Sequence, residues 1–268
     1  MVNDTVKLSV RNVCKTFHAR GRFGGSSQNV PVLRNVSFEV RQGEICSLIG
    51  ESGCGKTTLL RTIQGLQTLD SGSILVDGVS VASPGRDRGF VFQQASLLPW
   101  RSARRNVEFG LELQGVPKAE RTRMGTKLLE LVGLGHAAEQ FPHQLSGGMQ
   151  QRIGLARALA IDPAILLMDE PFSALDAQTR EVLQAEMLRI HDQTAKTTLF
   201  VTHDLDEALY LSDRVVVLAA KPGRVKKIIE IPFGHPRPEL VELRGNQLFQ
   251  EIRAEMWSLI RAAPPVAA

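Results

Sequence analysis

Gly50-Glu51-Ser52-Gly53-Cys54-Gly55-Lys56-Thr57 is the stretch that decides the fold. It fits the phosphate-loop pattern G-x-x-x-x-G-K-[ST], whose glycines let consecutive backbone N–H groups turn inward around phosphate oxygens. Four fixed positions arise by chance in a chain this long only on the order of one time in a hundred, so the match carries weight by itself. Its surroundings agree. The apolar run Ile45-Cys46-Ser47-Leu48-Ile49 precedes it and reads as a strand, and Leu59, Leu60 and Ile63 after it share one helical face. In this strand, loop and helix, the helix N-terminus adds positive dipole and Lys56 a mobile charge near the β- and γ-oxygens. Thr57 offers its hydroxyl to Mg²⁺.

Further apolar runs lie on either side: Ser73 to Val76, Gly89 to Phe92, Ala164 to Met168, Thr197 to Val201 and Val215 to Leu218. Several are followed by helical patterns, which predicts an α/β chain with a largely parallel sheet. Alternating stretches at Val6 to Val13 and Val36 to Val40 predict two more strands, and the Gly- and Ser-rich segment Arg20 to Asn29 between them reads as a mobile surface connection. From about Leu97 to Ala160 the strand signal stops. Leu128, Leu129, Val132, Leu155, Ala156 and Leu159 recur there at helical spacing, so a helical insertion interrupts the α/β core. Near the end Leu248, Phe249, Ile252, Met256, Leu259 and Ile260 fall on one stripe before Pro264-Pro265, and packing of that stripe on the chain's own core is expected.

Composition narrows the class. The 268 residues, 43% hydrophobic and 22% charged, exclude collagen, low-complexity disorder and a disulfide-stapled mini-protein. No apolar run approaches the ~18 residues of a bilayer span, and the opening Met1-Val2-Asn3-Asp4 does not resemble a signal peptide, so a cytosolic chain is expected. A formal charge of +4 suits an anionic partner, yet there is no long basic run and a single Tyr, so nucleic acid is not expected to be that partner. Cys14, Cys46 and Cys54 lack metal-ligand spacing and read as reduced thiols.

Two other segments carry chemistry. Ile165-Leu166-Leu167-Met168-Asp169-Glu170 is an apolar strand ending in two carboxylates, at the strand end where α/β sheets bind ligands. Asp169 there would hold Mg²⁺, directly or through water, and Glu170 would polarise an attacking water. In Leu145-Ser146-Gly147-Gly148-Met149-Gln150-Gln151-Arg152, Ser146 reads as a helix N-cap, with Gly147 and Gly148 admitting close backbone approach: a second anion site, or plain capping.

Together these segments resemble the ATP-binding cassette family over nearly the whole chain, with Leu145 to Arg152 as the signature, Ile165 to Glu170 as the Walker B strand and Ser173-Ala174-Leu175-Asp176 as the D-loop. The resemblance implies a P-loop NTPase (RecA-like) core with a parallel sheet, an antiparallel N-terminal β subdomain and an inserted α-helical subdomain. The cassette would span 1–230, the helical part about 95–160, and an amphipathic tail 231–268. Two copies would face each other head to tail, each ATP lying between one copy's phosphate loop and the other's signature helix. Gly50 to Thr57 and Thr58 would bind nucleotide together with Ser146, Gly147, Gly148 and Asp176. By the same resemblance Phe17 would stack on adenine where Tyr is commoner, the alternative being a core Phe. Gln93 would touch Mg²⁺ and water, and His203 would contact the γ-phosphate unless it is only a structural strand-end residue. Met149 departs from the usual Gln of the signature, which leaves backbone contacts there.

Leu97-Leu98-Pro99-Trp100, Leu111 to Arg121, Phe141-Pro142-His143-Gln144, Met168 to Arg180, the basic turn Lys221-Pro222-Gly223-Arg224 and the tail from Pro236 through Trp257 are similar to the nitrate, sulfonate, taurine and bicarbonate importer group. That likeness implies an ATPase subunit peripheral to the cytoplasmic face of the inner membrane. It would be paired with transmembrane permease subunits, whose coupling helix would meet Gln93 to Trp100, and would be served indirectly by a periplasmic solute-binding protein. The alternative is a soluble ABC ATPase acting on nucleic acid, ribosomes or cofactor assembly. An ordinary P-loop kinase would leave Leu145 to Arg152 unexplained.

Overall fold

The computed structural model describes residues 3–19 and 28–261. In chain order the elements are β1 (Asn3–Ala19), β2 (Gln28–Gln42), β3 (Ile45–Gly50), α1 (Lys56–Gln64), β4 (Ser71–Val76), β5 (Val79–Ser80), β6 (Arg88–Val91), α2 (Ala103–Val107), α3 (Phe109–Leu113), α4 (Lys118–Leu131), α5 (Gly147–Ala160), β7 (Ile165–Asp169), α6 (Ala177–Thr194), β8 (Thr198–Val201), α7 (Leu205–Leu211), β9 (Arg214–Ala219), β10 (Arg224–Glu230), α8 (Leu240–Arg244) and α9 (Gln247–Arg261). They fall into two compact units. One comprises Met1–Gly85, Leu199–Phe233 and Pro238–Ala268, the other Arg86–Thr198 and Gly234–Arg237.

In the first unit β1 runs antiparallel to both β2 and β4, and β4 to β5. The run Ser73 to Val76 therefore belongs to an antiparallel sheet and not to the parallel one, which corrects the sequence reading. Its burial alternates along one face, and apolarity alone does not encode strand direction. Both flanking strands are longer than the sequence pattern indicated. Gln28 and Asn29 pair with Ala19 and His18 instead of forming a connection, while residues 20–27, to which the mobile-loop expectation applies, lie outside the described residues. The second sheet of this unit has β3 parallel to β9, with β8 on the other side of β3 and β10 antiparallel to β9 at its edge. Every residue of β3 is buried, as expected of a strand covered on both faces. Helix α9 packs on α7 and β9 through Phe249, Ile252 and Met256, whereas Leu248, placed on the same stripe by the sequence pattern, is exposed. Burying side chains of this size stabilises by roughly 1.5–3 kcal/mol each.

In the second unit β6 and β7 pair in parallel, Val91 opposite Met168, and among the described residues no strand lies between them in the chain. Strand β6 ends one residue earlier than expected, with Phe92 already exposed. Helices α2, α4 and α5 pack together over a core that includes Val107, Leu129, Val132 and Ile153. Among the described residues no helix is long and apolar enough to cross a membrane.

Candidate functional site

The phosphate loop leaves the buried end of β3. Gly53 at φ 79 and Gly55 at φ 94 occupy the left-handed region, which side-chain-bearing residues avoid. A Cβ on Gly55 would also lie 2.7 Å from Leu33 Cδ2, so only glycine fits between loop and β2. Gly55 then enters α1 without any side-chain cap. The Cys54 N–H bonds the Glu51 carbonyl at 3.2 Å, closing the loop into a turn, with Glu51, Ser52 and Gly53 exposed and Cys54 to Lys56 buried. Lys56 Nζ donates to the Gly50 carbonyl at 2.7 Å and the Glu51 carbonyl at 3.2 Å, which places an ammonium inside the loop. Burial raises the Cys54 thiol above its ordinary pKa, against the pull of Lys56, so the sulfur is a space-filling group and not a thiolate. Thr57 and Thr58 are half-buried in the first turn of the helix.

Strand β2 carries this arrangement toward Phe17. Phe17 pairs with Val30, and Val32 and Leu33 further along β2 reach Gly55. At 39% exposure Phe17 is no core residue, and Lys15 Nζ stands 5.7 Å from its ring centroid. The basic turn Lys221 to Arg224 also meets the loop, a feature the sequence did not signal. Gly223 bonds the Val32 carbonyl at 2.8 Å, and a Cβ on it would strike the Cys54 carbonyl oxygen at 2.1 Å. His203, exposed, follows β8. Around it Thr202 Oγ1 accepts the Asp204 N–H at 3.0 Å and donates to the Glu207 carboxylate, while Asp204 Oδ1 caps α7 at the N–H groups of Asp206 and Glu207.

The second unit brings together another set. Asp169 ends β7 and Glu170 follows at φ 45, a left-handed conformation that costs a glutamate about 1–3 kcal/mol and persists only where its surroundings enforce it. The Glu170 carbonyl accepts from Ser173 N at 3.2 Å and Ser173 Oγ at 2.9 Å, and Ser173 Oγ accepts from Gln93 Nε2 at 3.0 Å. Gln151 Nε2 holds the Phe92 carbonyl at 2.9 Å. Neither the Ser173 nor the Gln151 contact was foreseeable from sequence. Ser146 caps α5, its hydroxyl accepting the Met149 N–H at 3.3 Å, with Gly147 and Gly148 in the first turn. Asp176 caps α6 in the same way, accepting the Thr179 N–H at 3.0 Å, and that bond holds its carboxyl below the usual carboxylate range. An open groove of about 360 Å³ runs past Gln93, Leu97, Pro142, Gly147, Gln150 and Leu175.

The loop fits a nucleoside triphosphate on these observations: left-handed glycines, a helix start left without a side-chain cap, and a buried ammonium. In the first unit Thr57 offers a hydroxyl, and in the second Asp169 offers a carboxylate and Gln93 an amide oxygen, each a donor of the hard type that Mg²⁺ prefers.

Residues 33–173 match the family model described as ABC transporter. An uncharacterized ABC transporter ATP-binding protein of Methanocaldococcus jannaschii is 53% identical over 256 residues, covering 96% of this chain and 92% of that one. A taurine import ATP-binding protein, TauB, of Rhizobium johnstonii is 45% identical over 238 residues, covering 88% and 91%. Among solved structures, the dimeric post-hydrolysis state of the ATP-binding cassette MJ0796 bound to ADP and Pi is similar with a TM-score of 0.72 at 32% identity, covering 85% of this chain and all of that one.

Proposed function

The chain belongs to the ABC transporter family, and from that premise we propose that it is the ATP-hydrolysing subunit of an importer for a small anion such as taurine or another sulfonate, nitrate or bicarbonate. The observation that carries the reading is the phosphate loop, with glycines at φ 79 and φ 94, an uncapped α1 and Lys56 folded into it. Two copies would act head to tail, the loop of one and the Ser146-Gly147-Gly148 helix start of the other gripping one ATP.

Each residue then has a task. Loop amides from Gly50 to Thr57, with Thr58, cradle the phosphates, and Lys56 places its charge at the β- and γ-oxygens. Phe17 offers an exposed ring face to adenine. Thr57, Asp169 and Gln93 would hold Mg²⁺, which when bound neutralises charge on the β- and γ-phosphate oxygens. Glu170 orients and polarises the attacking water, and His203 donates to a γ-phosphate oxygen. Asp176 fixes the start of α6 beside the signature of the opposite copy. Losing the γ-phosphate removes much of the charge that two helix N-termini share, so the copies part.

The helical stretch, about 95–160 within a cassette of 1–230, serves as the docking subdomain, and residues 231–268 form the tail. The groove beside Gln93 to Trp100 receives a coupling helix of the permease at the cytoplasmic face of the membrane. A periplasmic solute-binding protein delivers the anion from the other side.

The test is Glu170→Gln. The variant is expected to bind ATP, to lose turnover by roughly a hundredfold or more, and to accumulate as an ATP-dependent dimer on sizing. Hydrolysis at the wild-type rate would overturn the role given to Glu170.

A further inference from the structure

Glu170 holds a backbone conformation that a glutamate does not adopt by default, φ 45, and it holds it immediately after β7, so the direction in which its side chain leaves the backbone is set there. A change of backbone angle at this residue would swing the carboxylate without touching the strand before it. What holds the angle therefore contributes to the aim of the group.

The structure ties the Glu170 carbonyl to one side chain. Ser173 Oγ donates to it at 2.9 Å, beside the backbone bond from Ser173 N at 3.2 Å. A serine hydroxyl has one proton to give and lone pairs to receive with. The proton goes to Glu170, and a lone pair takes Gln93 Nε2 at 3.0 Å. Gln93 follows Phe92, whose carbonyl is held at 2.9 Å by Gln151 from α5. Hydrogen bonds thus link the helix that Ser146 caps to Phe92 at the β6 end, and the side chain of the next residue, Gln93, to Ser173 and so to the glutamate. Ser173 is the node at which donor and acceptor roles meet.

We infer that Ser173 is a positioning residue for ATP hydrolysis: its hydroxyl locks the left-handed Glu170 in the orientation that aims the carboxylate at water, and it does so while receiving the Gln93 amide, so that the placement of Gln93 controls the aim of Glu170. The inference rests on Glu170 being the water-polarising group, as proposed above. Hydrogen bonds that share one hydroxyl reinforce each other, so the two contacts rise and fall together. A slight misplacement of a general base lowers the chemical step far more than it lowers substrate binding.

The experiment is steady-state ATPase kinetics on Ser173→Ala, Ser173→Thr, Gln93→Ala and the Ser173→Ala/Gln93→Ala pair, with sizing of Glu170→Gln and Glu170→Gln/Ser173→Ala in ATP. Ser173→Ala should lower kcat by about tenfold, equivalent to about 1.4 kcal/mol, with KM for ATP within about twofold of wild type. Ser173→Thr, which keeps the hydroxyl, should recover kcat to within about threefold of wild type. The double variant should be no slower than Gln93→Ala alone, because both substitutions remove one linkage. The ATP-dependent dimer of Glu170→Gln should form equally well with Ser173→Ala added. Wild-type kcat in Ser173→Ala, a threonine variant as slow as alanine, multiplicative losses in the pair, or loss of the trapped dimer would each overturn the inference. Failure of Glu170→Gln itself to stop turnover would instead remove the reading on which it stands.

Discussion

Helix α1 is entered from Gly55, at φ 94, with no side chain closing its first turn, whereas α5 is entered from Ser146, whose hydroxyl already accepts the Met149 N–H at 3.3 Å. Both starts carry the positive end of a helix dipole; from sequence the first reads as an anion site and the second as an anion site or plain capping. They differ in what an incoming phosphate must displace. At α1 glycine leaves the approach open and Lys56 adds a full charge, so an anion there displaces no cap and meets a cation already in place. At α5 an anion competes with a cap that the helix supplies for itself, and among Gly147, Gly148 and Met149 there is no charged side chain. Such a site suits a ligand brought by another molecule and released again. The difference between an open helix start and a self-capped one is thus written in the capping residue.

The heaviest blow to this contrast is Lys56→Ala. Removing the charge should reduce ATPase activity by roughly two orders of magnitude or more and abolish measurable ATP binding in equilibrium titration. Activity within tenfold of wild type would mean that α1 does not depend on its charge. Next comes Gly55→Ala, which forces a Cβ into φ 94 and against Leu33 Cδ2 at 2.7 Å. A loss of about 1–3 kcal/mol in denaturant unfolding is expected, together with weakened nucleotide binding. Unchanged stability would show that the loop has room to relax. The smallest effect belongs to Ser146→Ala, where loss of a cap costs about 1 kcal/mol of helix stability. Thermal unfolding should move by a few degrees, ATP affinity of the single chain should hold, and ATP-driven pairing of Glu170→Gln should weaken. A fall in single-chain ATP affinity comparable with that of Lys56→Ala would erase the distinction between the two helix starts.

What could be read from sequence was whatever is local. The phosphate loop, the strand before it and the apolar face of Leu59, Leu60 and Ile63 lie within twenty residues, and spacing alone fixes them. Ser146 was identifiable as an N-cap for the same reason. Contacts between distant residues were not legible. The Gln93–Ser173 bond joins residues 80 apart, and Gly223 meets the loop from the other end of the chain, with no periodicity to announce either. Strand direction was equally silent at Ser73 to Val76, since four residues are too few to show whether one face or both are buried. The φ of Glu170 belongs to the same class: it is a property of the turn that Ser173 closes, not of glutamate.

Asp206 lies three residues beyond His203, and its two carboxylate oxygens are taken by separate helices, Oδ2 by Arg244 of α8 at 3.1 Å and Oδ1 by Arg253 of α9 at 2.6 Å. Phe249 and Met256 anchor α9 beneath them. The start of α7, three residues beyond His203, is thereby tied to both distal helices, and a load on the outer surface of α9, where Trp257 stands half exposed under Arg261, is passed to that helix start.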